Sequence, residues 1–264
     1  MADQLLKLSA APGVSYEIEV HQSGSGPDLL FLHGAGGLFA DDPFLAALSK
    51  HFRVHAPRMP GYGQSSGDTH LRDMIDFTLL GWDIADALKL HKPLLVGHSM
   101  GGMIAAEMAA IAPDRVERLA LLCPAGLWMD SHPVTDIFAA LPFEFPTLLL
   151  HDPEKHGSLL SSGGDFDDAE FLTGFIVENS RRMTTAGKLL FPVPDRGLSS
   201  RLYRVKARTQ VLWGSSDRLI DPAYAAEFVR LLPNAESLLI DEAGHMLPYE
   251  QTDKVVNALL GLHN

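Results

Sequence analysis

The segment Gly97-His98-Ser99-Met100-Gly101 places a serine between two glycines, each two residues away. An apolar strand pattern over 94–96 precedes this segment, and an Ala- and Met-rich helical pattern over 100–112 follows it. A serine at such a strand-to-helix turn is held in a strained backbone with positive φ, and the glycines leave room for the tight turn. We therefore predict that Ser99 projects from the turn, exposed, as a nucleophile that needs an imidazole to accept its proton.

Strand and helix patterns alternate around this turn. Val14 to Val20 alternates apolar and polar residues, which predicts a strand with one buried face at an antiparallel edge of the sheet. Further strands are predicted at 28–32, 52–56, 94–96 and 119–123, and helices at 42–50, 74–90 and 100–112. Alternation in this order predicts an α/β fold, a doubly wound and mainly parallel sheet with helices on both faces.

The alternation stops between about residues 126 and 206, where Pro and Gly interrupt short helical patterns such as 169–183. Strands at 209–213 and 237–241 and helices at 222–232 and 253–262 then resume it. A loop of about 80 residues is implausible in a compact domain, so this stretch is predicted to be an inserted helical subdomain. The predicted organisation is a core of residues 1–125 and 207–264, with a helical insertion at 126–206.

These features together resemble the α/β-hydrolase family, over about residues 14–124 and 209–262. The resemblance implies an eight-stranded sheet and a triad in the order Ser, Asp, His, with the acid after a late strand and the histidine after the last one. Asp217 in Trp213-Gly214-Ser215-Ser216-Asp217 matches the acid, and His245 in Ala243-Gly244-His245 matches the base. Asp221 is the competing acid, but it precedes Pro222 and fits a helix N-cap better.

The glycine-rich loop His33-Gly34-Ala35-Gly36-Gly37 suits an oxyanion hole, in which backbone N–H groups stabilise the negative charge that forms on a substrate carbonyl. The family takes one donor from the residue after the nucleophile, here Met100, and one from this loop. Ala35 is the predicted second donor, with Gly36 as the alternative. In the family His33 shapes this loop, and Arg58 stands where an acid commonly anchors the next one, Arg58-Met59-Pro60-Gly61-Tyr62-Gly63-Gln64-Ser65.

The resemblance implies that the insertion at 126–206 forms a helical lid over the nucleophile and sets the specificity. It is rich in phenylalanine, which favours a hydrophobic acyl, aryl or alkyl group in the substrate. Seven of the 13 Phe fall within it: Phe138, Phe143, Phe145, Phe166, Phe171, Phe175 and Phe191. The residues predicted to bind substrate are Trp128, Phe138, Phe143, Arg181, Arg182 and Met246. The alternative is that the aromatic side chains form the core of the lid and that both arginines lie on a solvated helix face.

Composition excludes several classes of protein. The formal charge of −12 disfavours nucleic acid and anionic lipid as partners. The single cysteine, Cys123, cannot form an intramolecular disulfide, and the first residues lack an apolar run with the length of a signal peptide or a membrane span. We expect a cytoplasmic monomer or homodimer that acts on a small hydrophobic ester-like substrate, without a metal or cofactor, away from membranes and nucleic acid.

Three functions fit these features. The first is a serine hydrolase that cleaves a carboxylic ester, lactone or thioester through an acyl-enzyme. The second is hydrolysis of a carbon–carbon bond in ring-opened aromatic diketo acids, whose enzymes carry a lid arginine, although they commonly have Trp where Met246 follows His245. The third is a small-molecule receptor on the same fold.

Overall fold

The computed structural model describes residues 2–160, 164–165, 167–192 and 195–263. In these residues eight strands form one sheet in the order β1-β2-β4-β3-β5-β6-β7-β8. The strands are β1 (Ala2–Ala11), β2 (Val14–Ser23), β3 (Asp28–Leu32), β4 (Arg53–Pro57), β5 (Leu94–His98), β6 (Arg118–Leu122), β7 (Arg208–Gly214) and β8 (Ala235–Ile240). Only β2 runs antiparallel to its neighbours, β1 and β4, and all other neighbouring strands are parallel.

The helices follow the strands as the alternating pattern predicts. They are α1 (Pro43–Leu48), α2 (Met74–Ala87), α3 (Met100–Ile111), α4 (Phe145–Leu149), α5 (Pro153–His156), α6 (Ala169–Leu190), α7 (Tyr224–Leu231), α8 (Leu247–Glu250) and α9 (Thr252–His263). Asp42 caps α1, where Pro43 stands at the first turn, and Asp73 caps α2. Helix α2 packs on α3, and α1 packs on α8 and α9. The predicted α/β class with a mainly parallel eight-stranded sheet is confirmed.

The position predicted for the strand that begins at Val14 is wrong. This strand, β2, lies between β1 and β4, and β1 forms the edge of the sheet instead. Strand β1 carries four charged or polar residues and is largely exposed, so its apolar pattern is weak. The signal that could have revealed the β1–β2 hairpin is Pro12-Gly13, where Gly13 takes φ 78 to close the turn.

The connection from β6 to β7 contains helices α4, α5 and α6 and short 3₁₀ turns, with no strand among its described residues. Helix α6 extends to Leu190, beyond the predicted end at Met183. Its second half is buried at Thr185, Ala186 and Leu189, whereas most of its first half is exposed. Phe166 lies outside the described residues. In the part of the chain that the structure describes, no helix is both long and apolar enough to cross a membrane.

The last part of this connection runs back along α3 towards the start of β7. Arg201 donates two hydrogen bonds to the carboxylate of Glu107 on α3, at 2.8 and 2.5 Å. The Glu107 side chain is fully buried, and that of Arg201 is 31% exposed. Arg204 donates to the carbonyl of Ala110, one turn further along the helix, at 2.8 Å. These contacts fix residues 198–206 to the helix that follows the predicted nucleophile.

Candidate active site

Ser99 lies between the end of β5 and the start of α3, with φ 53 and ψ −116. Its backbone N–H donates to the carbonyl of Leu122 at the end of β6, at 2.9 Å. A Cβ at Gly97 would lie 2.3 Å from the carbonyl oxygen of Gly101, and a Cβ at Gly101 would lie 2.1 Å from that of Leu32. The predictions of positive φ at the serine and of glycines that permit close backbone approach are therefore confirmed.

Three side chains form a continuous hydrogen-bonded chain at the carboxyl ends of the strands. The His245 Nε2 atom lies 2.8 Å from the Ser99 Oγ atom, and the His245 Nδ1 atom lies 2.8 Å from the Asp217 Oδ2 atom. A carboxylate only accepts hydrogen bonds, so Nδ1 carries the proton and Nε2 accepts from the serine hydroxyl. The imidazole is therefore oriented to remove a proton from Ser99.

Loop geometry separates the two candidate acids. The Asp217 Oδ1 atom accepts from the backbone N–H groups of Leu219 and Ile220, at 2.9 and 3.0 Å, which leaves Oδ2 for the histidine. Asp221 instead accepts from the backbone N–H of Ala223, at 2.8 Å, in the turn that leads into α7. Asp221 therefore stabilises the turn before α7, but Ala223 is the N-cap of that helix, so the predicted N-cap role of Asp221 is wrong.

Ser99 is less accessible than the sequence predicted. The residue is 7% exposed, and Asp217 and His245 are 5% and 3% exposed. A Cβ at Gly34 would lie 3.3 Å from the Ser99 Cβ atom, so the glycine-rich loop packs closely against the serine. The predicted exposure of Ser99 is therefore wrong, because this loop and the His245 ring cover it.

The loop that follows β3 presents backbone donors beside the serine. Among the described residues, the backbone N–H groups of Ala35, Gly36 and Met100 have no hydrogen-bond acceptor. The carbonyl of Ala35 accepts from the Tyr62 hydroxyl at 3.0 Å, and the carbonyl of Gly34 accepts from the His33 ring at 2.7 Å. Each of these carbonyls shares a planar peptide group with the N–H of the next residue, Ala35 or Gly36. The two hydrogen bonds therefore orient these N–H groups, as an oxyanion hole requires.

A family model for the alpha/beta hydrolase fold matches residues 27–252 of the chain. The chain belongs to the alpha/beta hydrolase family. The match includes the serine turn, the glycine-rich loop and both loops that carry Asp217 and His245. The prediction of an α/β-hydrolase-family enzyme is thereby confirmed.

The relatives of this hydrolase are named for different substrates. It is 26% identical to a 2-hydroxy-6-oxo-6-phenylhexa-2,4-dienoate hydrolase from Burkholderia cepacia, over 90% of this chain and 88% of that protein. It is 29% identical to a pimeloyl-[acyl-carrier protein] methyl ester esterase from Vibrio cholerae, over 84% of this chain and 89% of that protein. A solved meta-cleavage product hydrolase from Pseudomonas fluorescens superimposes with a TM-score of 0.75 at 22% identity, over 94% of each chain.

The residues predicted to bind substrate differ in their exposure and in their local contacts. Phe143 is 76% exposed, and the Trp128 ring donates to Asp130 at 2.8 Å. Phe138 is partly buried against the main hydrophobic core and packs edge-to-face on Phe191, with ring centroids 5.9 Å apart, while Phe191 itself is 56% exposed. Met246 is partly buried directly after His245, and its backbone N–H donates to Leu149.

The two arginines of α6 point to different loops. Arg182 is partly buried, and its guanidinium donates to the carbonyl of Gly36 at 3.4 Å, beside the candidate oxyanion donors. Arg181 is exposed, donates to the carbonyl of Ser65 at 3.4 Å, and lies 4.0 Å from the Asp68 carboxylate. Of the two, Arg182 is therefore the one that faces the glycine-rich loop.

Arg58 anchors the loop in which the family commonly has an acid. Its guanidinium donates to the Glu19 carboxylate at 3.2 Å and to the carbonyl of Leu38 at 2.8 Å. The same Glu19 carboxylate accepts from the backbone N–H of Gln64 at 2.8 Å. Glu19 on β2 thus supplies a carboxylate to this loop, and Arg58 connects the loop to Leu38 at the end of the glycine-rich loop.

Cys123 is a neighbour of the candidate acid that the sequence did not indicate. It follows β6 with φ 43, is fully buried, and has its sulfur within 4.8 Å of the nearest ligand-type atoms of Asp217 and His245. Burial first and Asp217 next raise the pKa of the thiol well above its usual range, so the sulfur stays protonated. Thiol, carboxylate and imidazole are also zinc ligand types, but both nitrogens of His245 are already used by Ser99 and Asp217.

Two buried histidines support the site in their neutral form. His33 donates through Nδ1 to Gly34 and accepts through Nε2 from the backbone N–H of Met59, at 3.0 Å. His98 donates through Nε2 to the backbone carbonyl of His245, at 2.8 Å. Burial is the main cause that lowers the pKa of His33 to about 4 and that of His98 to about 3.

We expect the free energy of unfolding to fall as the pH drops from about 6.5 towards 4. In this window the unfolded chain protonates these histidines while the fold keeps them neutral, so the unfolded state binds more protons. Urea unfolding of the His33→Asn variant at several pH values should give a shallower slope, by up to about 1.4 kcal/mol per pH unit. The control is His91→Asn, at an exposed position. Equal slopes for His33→Asn and wild type would contradict the prediction.

Proposed function

We propose that this chain is a serine hydrolase that cleaves a carboxylic ester, lactone or thioester of a small hydrophobic molecule through an acyl-enzyme. The observation that carries the proposal is the continuous chain from the Ser99 Oγ atom through His245 to Asp217, with both hydrogen bonds at 2.8 Å. The positive φ of Ser99 supports the same conclusion, and so do the backbone donors beside it, which have no acceptor among the described residues.

Each side chain then has one chemical role. The Ser99 oxygen attacks the substrate carbonyl while His245 Nε2 takes the hydroxyl proton, and the C–O or C–S bond breaks as His245 returns that proton to the leaving group. Water then attacks the acyl-enzyme with His245 again as base, which releases the acid and restores the serine. Asp217 keeps the proton on Nδ1 and stabilises the imidazolium cation.

The negative charge on the tetrahedral intermediate requires donors that are already in place. We assign this role to the backbone N–H groups of Met100 and Ala35, with Gly36 as the alternative to Ala35. None of these groups has an acceptor among the described residues, so binding the oxyanion breaks no existing hydrogen bond in this region. Tyr62 and His33 hold the loop in this orientation.

The substrate preference is assigned to the insertion, residues 126–206, which we propose acts as a lid. Partly buried aromatic side chains there, such as Trp128 and Phe138, favour an apolar acyl or alkyl group over a charged one. The similarity to the pimeloyl-[acyl-carrier protein] methyl ester esterase supports cleavage of an ester bond.

A fluorophosphonate probe tests this proposal directly, because it reacts with an activated serine and leaves a stable adduct. We expect stoichiometric labelling, with the adduct mapped by mass spectrometry to the peptide that contains Ser99. A panel of p-nitrophenyl esters with increasing acyl length should then show turnover that favours apolar chains. Labelling at another residue, or no labelling at all, would refute the assignment.

Carbon–carbon bond hydrolysis by the same three residues is the second candidate. Two observations support this candidate. The chain is similar to hydrolases of 2-hydroxy-6-oxo-dienoates, and Arg182 lies next to Gly36. A guanidinium there could pair with the carboxylate that such substrates carry.

Arg182→Ala separates the two candidates. If the substrate is a diketo acid, this variant should raise KM for the carboxylate substrate about 10- to 100-fold, because a charge-assisted pair contributes roughly 1.5–3 kcal/mol. Hydrolysis of a neutral p-nitrophenyl ester should change by less than about threefold. Arg181→Ala is the matched control, since its side chain is directed to Ser65 and Asp68. Equal effects on charged and neutral substrates would exclude the carboxylate-binding role.

A further inference from the structure

One short stretch of the insertion, residues 147–151, contacts both loops that carry the proposed acid and base. On the acid side, Ser216 forms a hydrogen bond with the His151 ring, from Oγ to Nδ1, at 2.7 Å. Arg218 donates through one nitrogen to the carbonyls of Thr147 and Leu150, both at 3.0 Å. These two residues are the immediate neighbours of the acid in the chain.

The base side shows the same arrangement. The backbone N–H of Met246 donates to the carbonyl of Leu149 at 3.0 Å. On the other side of the base, the backbone N–H of Gly244 donates to one oxygen of Glu250, and the backbone N–H of His151 donates to the other, each at 2.7 Å. Glu250 therefore joins the histidine loop to the insertion through two short hydrogen bonds.

The packing around this junction leaves little room for the two loops to move. Leu150 is fully buried, and a Cβ at Gly244 would lie 2.6 Å from the carbonyl oxygen of Leu149. The Glu250 side chain is also fully buried, and the only ring near its carboxylate among the described ion pairs is that of His156, 3.6 Å away. A buried carboxylate that satisfies both oxygens with backbone N–H groups fixes those groups strongly.

We propose that residues 147–151 position the Asp217–His245 pair, and that Glu250 and Arg218 are the positioning residues of this junction. The inference rests on the proposed roles of Asp217 and His245 as acid and base. Its basis is that the residues on both sides of each of them are bonded to this stretch or joined to it by Glu250. The rate at which His245 removes the serine proton then depends on the position of residues 147–151, even if these residues do not touch substrate.

Two variants and two matched controls test the inference. Glu250→Gln replaces one accepting oxygen with an NH₂ group, which cannot accept the backbone N–H in front of it. Arg218→Met removes both hydrogen bonds to the carbonyls at an exposed side chain, so it is the milder change for folding. Glu227→Gln and Arg230→Met make the same replacements in the ion pair of α7, on the surface.

Three measurements are compared in wild type and all four variants: kcat and KM for a p-nitrophenyl ester, the rate of fluorophosphonate labelling, and the ¹⁵N signals of the His245 ring. The ring signals are assigned by their loss in His245→Gln. We expect Glu250→Gln to lower kcat and the labelling rate about 10- to 100-fold, with KM within about threefold and the His245 signals shifted. Arg218→Met should give a smaller change in the same direction, and the controls none.

Unchanged His245 signals in folded Glu250→Gln and Arg218→Met would overturn the inference, and so would unchanged labelling rates together with unchanged kcat. A purely structural role would lower the midpoint of urea unfolding without altering the folded protein's signals or rates. The ring signals do not depend on turnover. A wild-type protein that hydrolyses no ester therefore refutes the proposed function, while the signals still decide whether the junction positions His245.

Discussion

Replacing Ser99 with alanine is expected to reduce kcat/KM for a p-nitrophenyl ester by about 10⁴- to 10⁶-fold and to abolish fluorophosphonate labelling. The substitution removes only the oxygen that would form the acyl bond. The fold should tolerate it, because the hydroxyl's hydrogen bond within the site is to His245. The backbone N–H groups of Ala35, Gly36 and Met100, which have no acceptor in the described part of the chain, remain, so weak residual hydrolysis above the uncatalysed rate is also expected.

Ser49→Ala is the matched control for this experiment. The Ser49 hydroxyl donates only to the carbonyl of Ala46, at the end of α1. Its removal should leave turnover and labelling within about twofold of wild type. Full labelling of Ser99→Ala at an unchanged rate would contradict the proposed nucleophile, because the probe would then be reacting with a different residue.

Asp217→Asn is expected to lower kcat/KM at neutral pH by about 10³- to 10⁴-fold. The asparagine NH₂ group would need an acceptor at the His245 Nδ1 atom, so the ring proton would move to Nε2 and face the Ser99 hydroxyl. A ring in that tautomer cannot take the serine proton. The two backbone N–H groups of Leu219 and Ile220 can still be satisfied by the amide oxygen, which preserves the loop.

Asp221→Asn makes the same chemical change four residues further along the chain. Asparagine also caps backbone N–H groups, so the bond to Ala223 is retained and activity should stay within about threefold of wild type. Comparing kcat/KM and urea unfolding for the two variants separates loss of the acid from loss of loop structure. A large loss in Asp221→Asn with little loss in Asp217→Asn would reverse the assignment.

Much of the core could be predicted because its strands are buried on both faces. The run Leu29 to Leu32 and the stretch Leu94 to Val96 are continuously apolar, and their order fixes which loops meet at one edge of the sheet. The resemblance to the family then placed Ser99, Asp217 and His245 on three such loops. The edge strand β1 was missed because it is exposed and has little apolar alternation to detect.

The surroundings of the site could not be predicted in the same way. The path of residues 147–151 follows no hydrophobic period, and the contacts of Glu250 depend on where that path lies. Cys123 lies next to Asp217 because β6 and β7, which are far apart in the sequence, pair in the sheet. These features come from long-range backbone contacts, which leave no repeating pattern in the sequence.

The return of the chain along α3 limits how the insertion can be exchanged or shortened. Parallel strands require the chain that leaves the carboxyl end of β6 to travel back to the amino end of β7. Residues 198–206 form this return path, and Arg201 within them pairs with the buried Glu107 carboxylate. A chimera in which a foreign segment replaces this connection as far as Lys206 would lose the Arg201 cation and leave the Glu107 carboxylate unpaired in the interior. The junction for such a graft therefore belongs before Gly197.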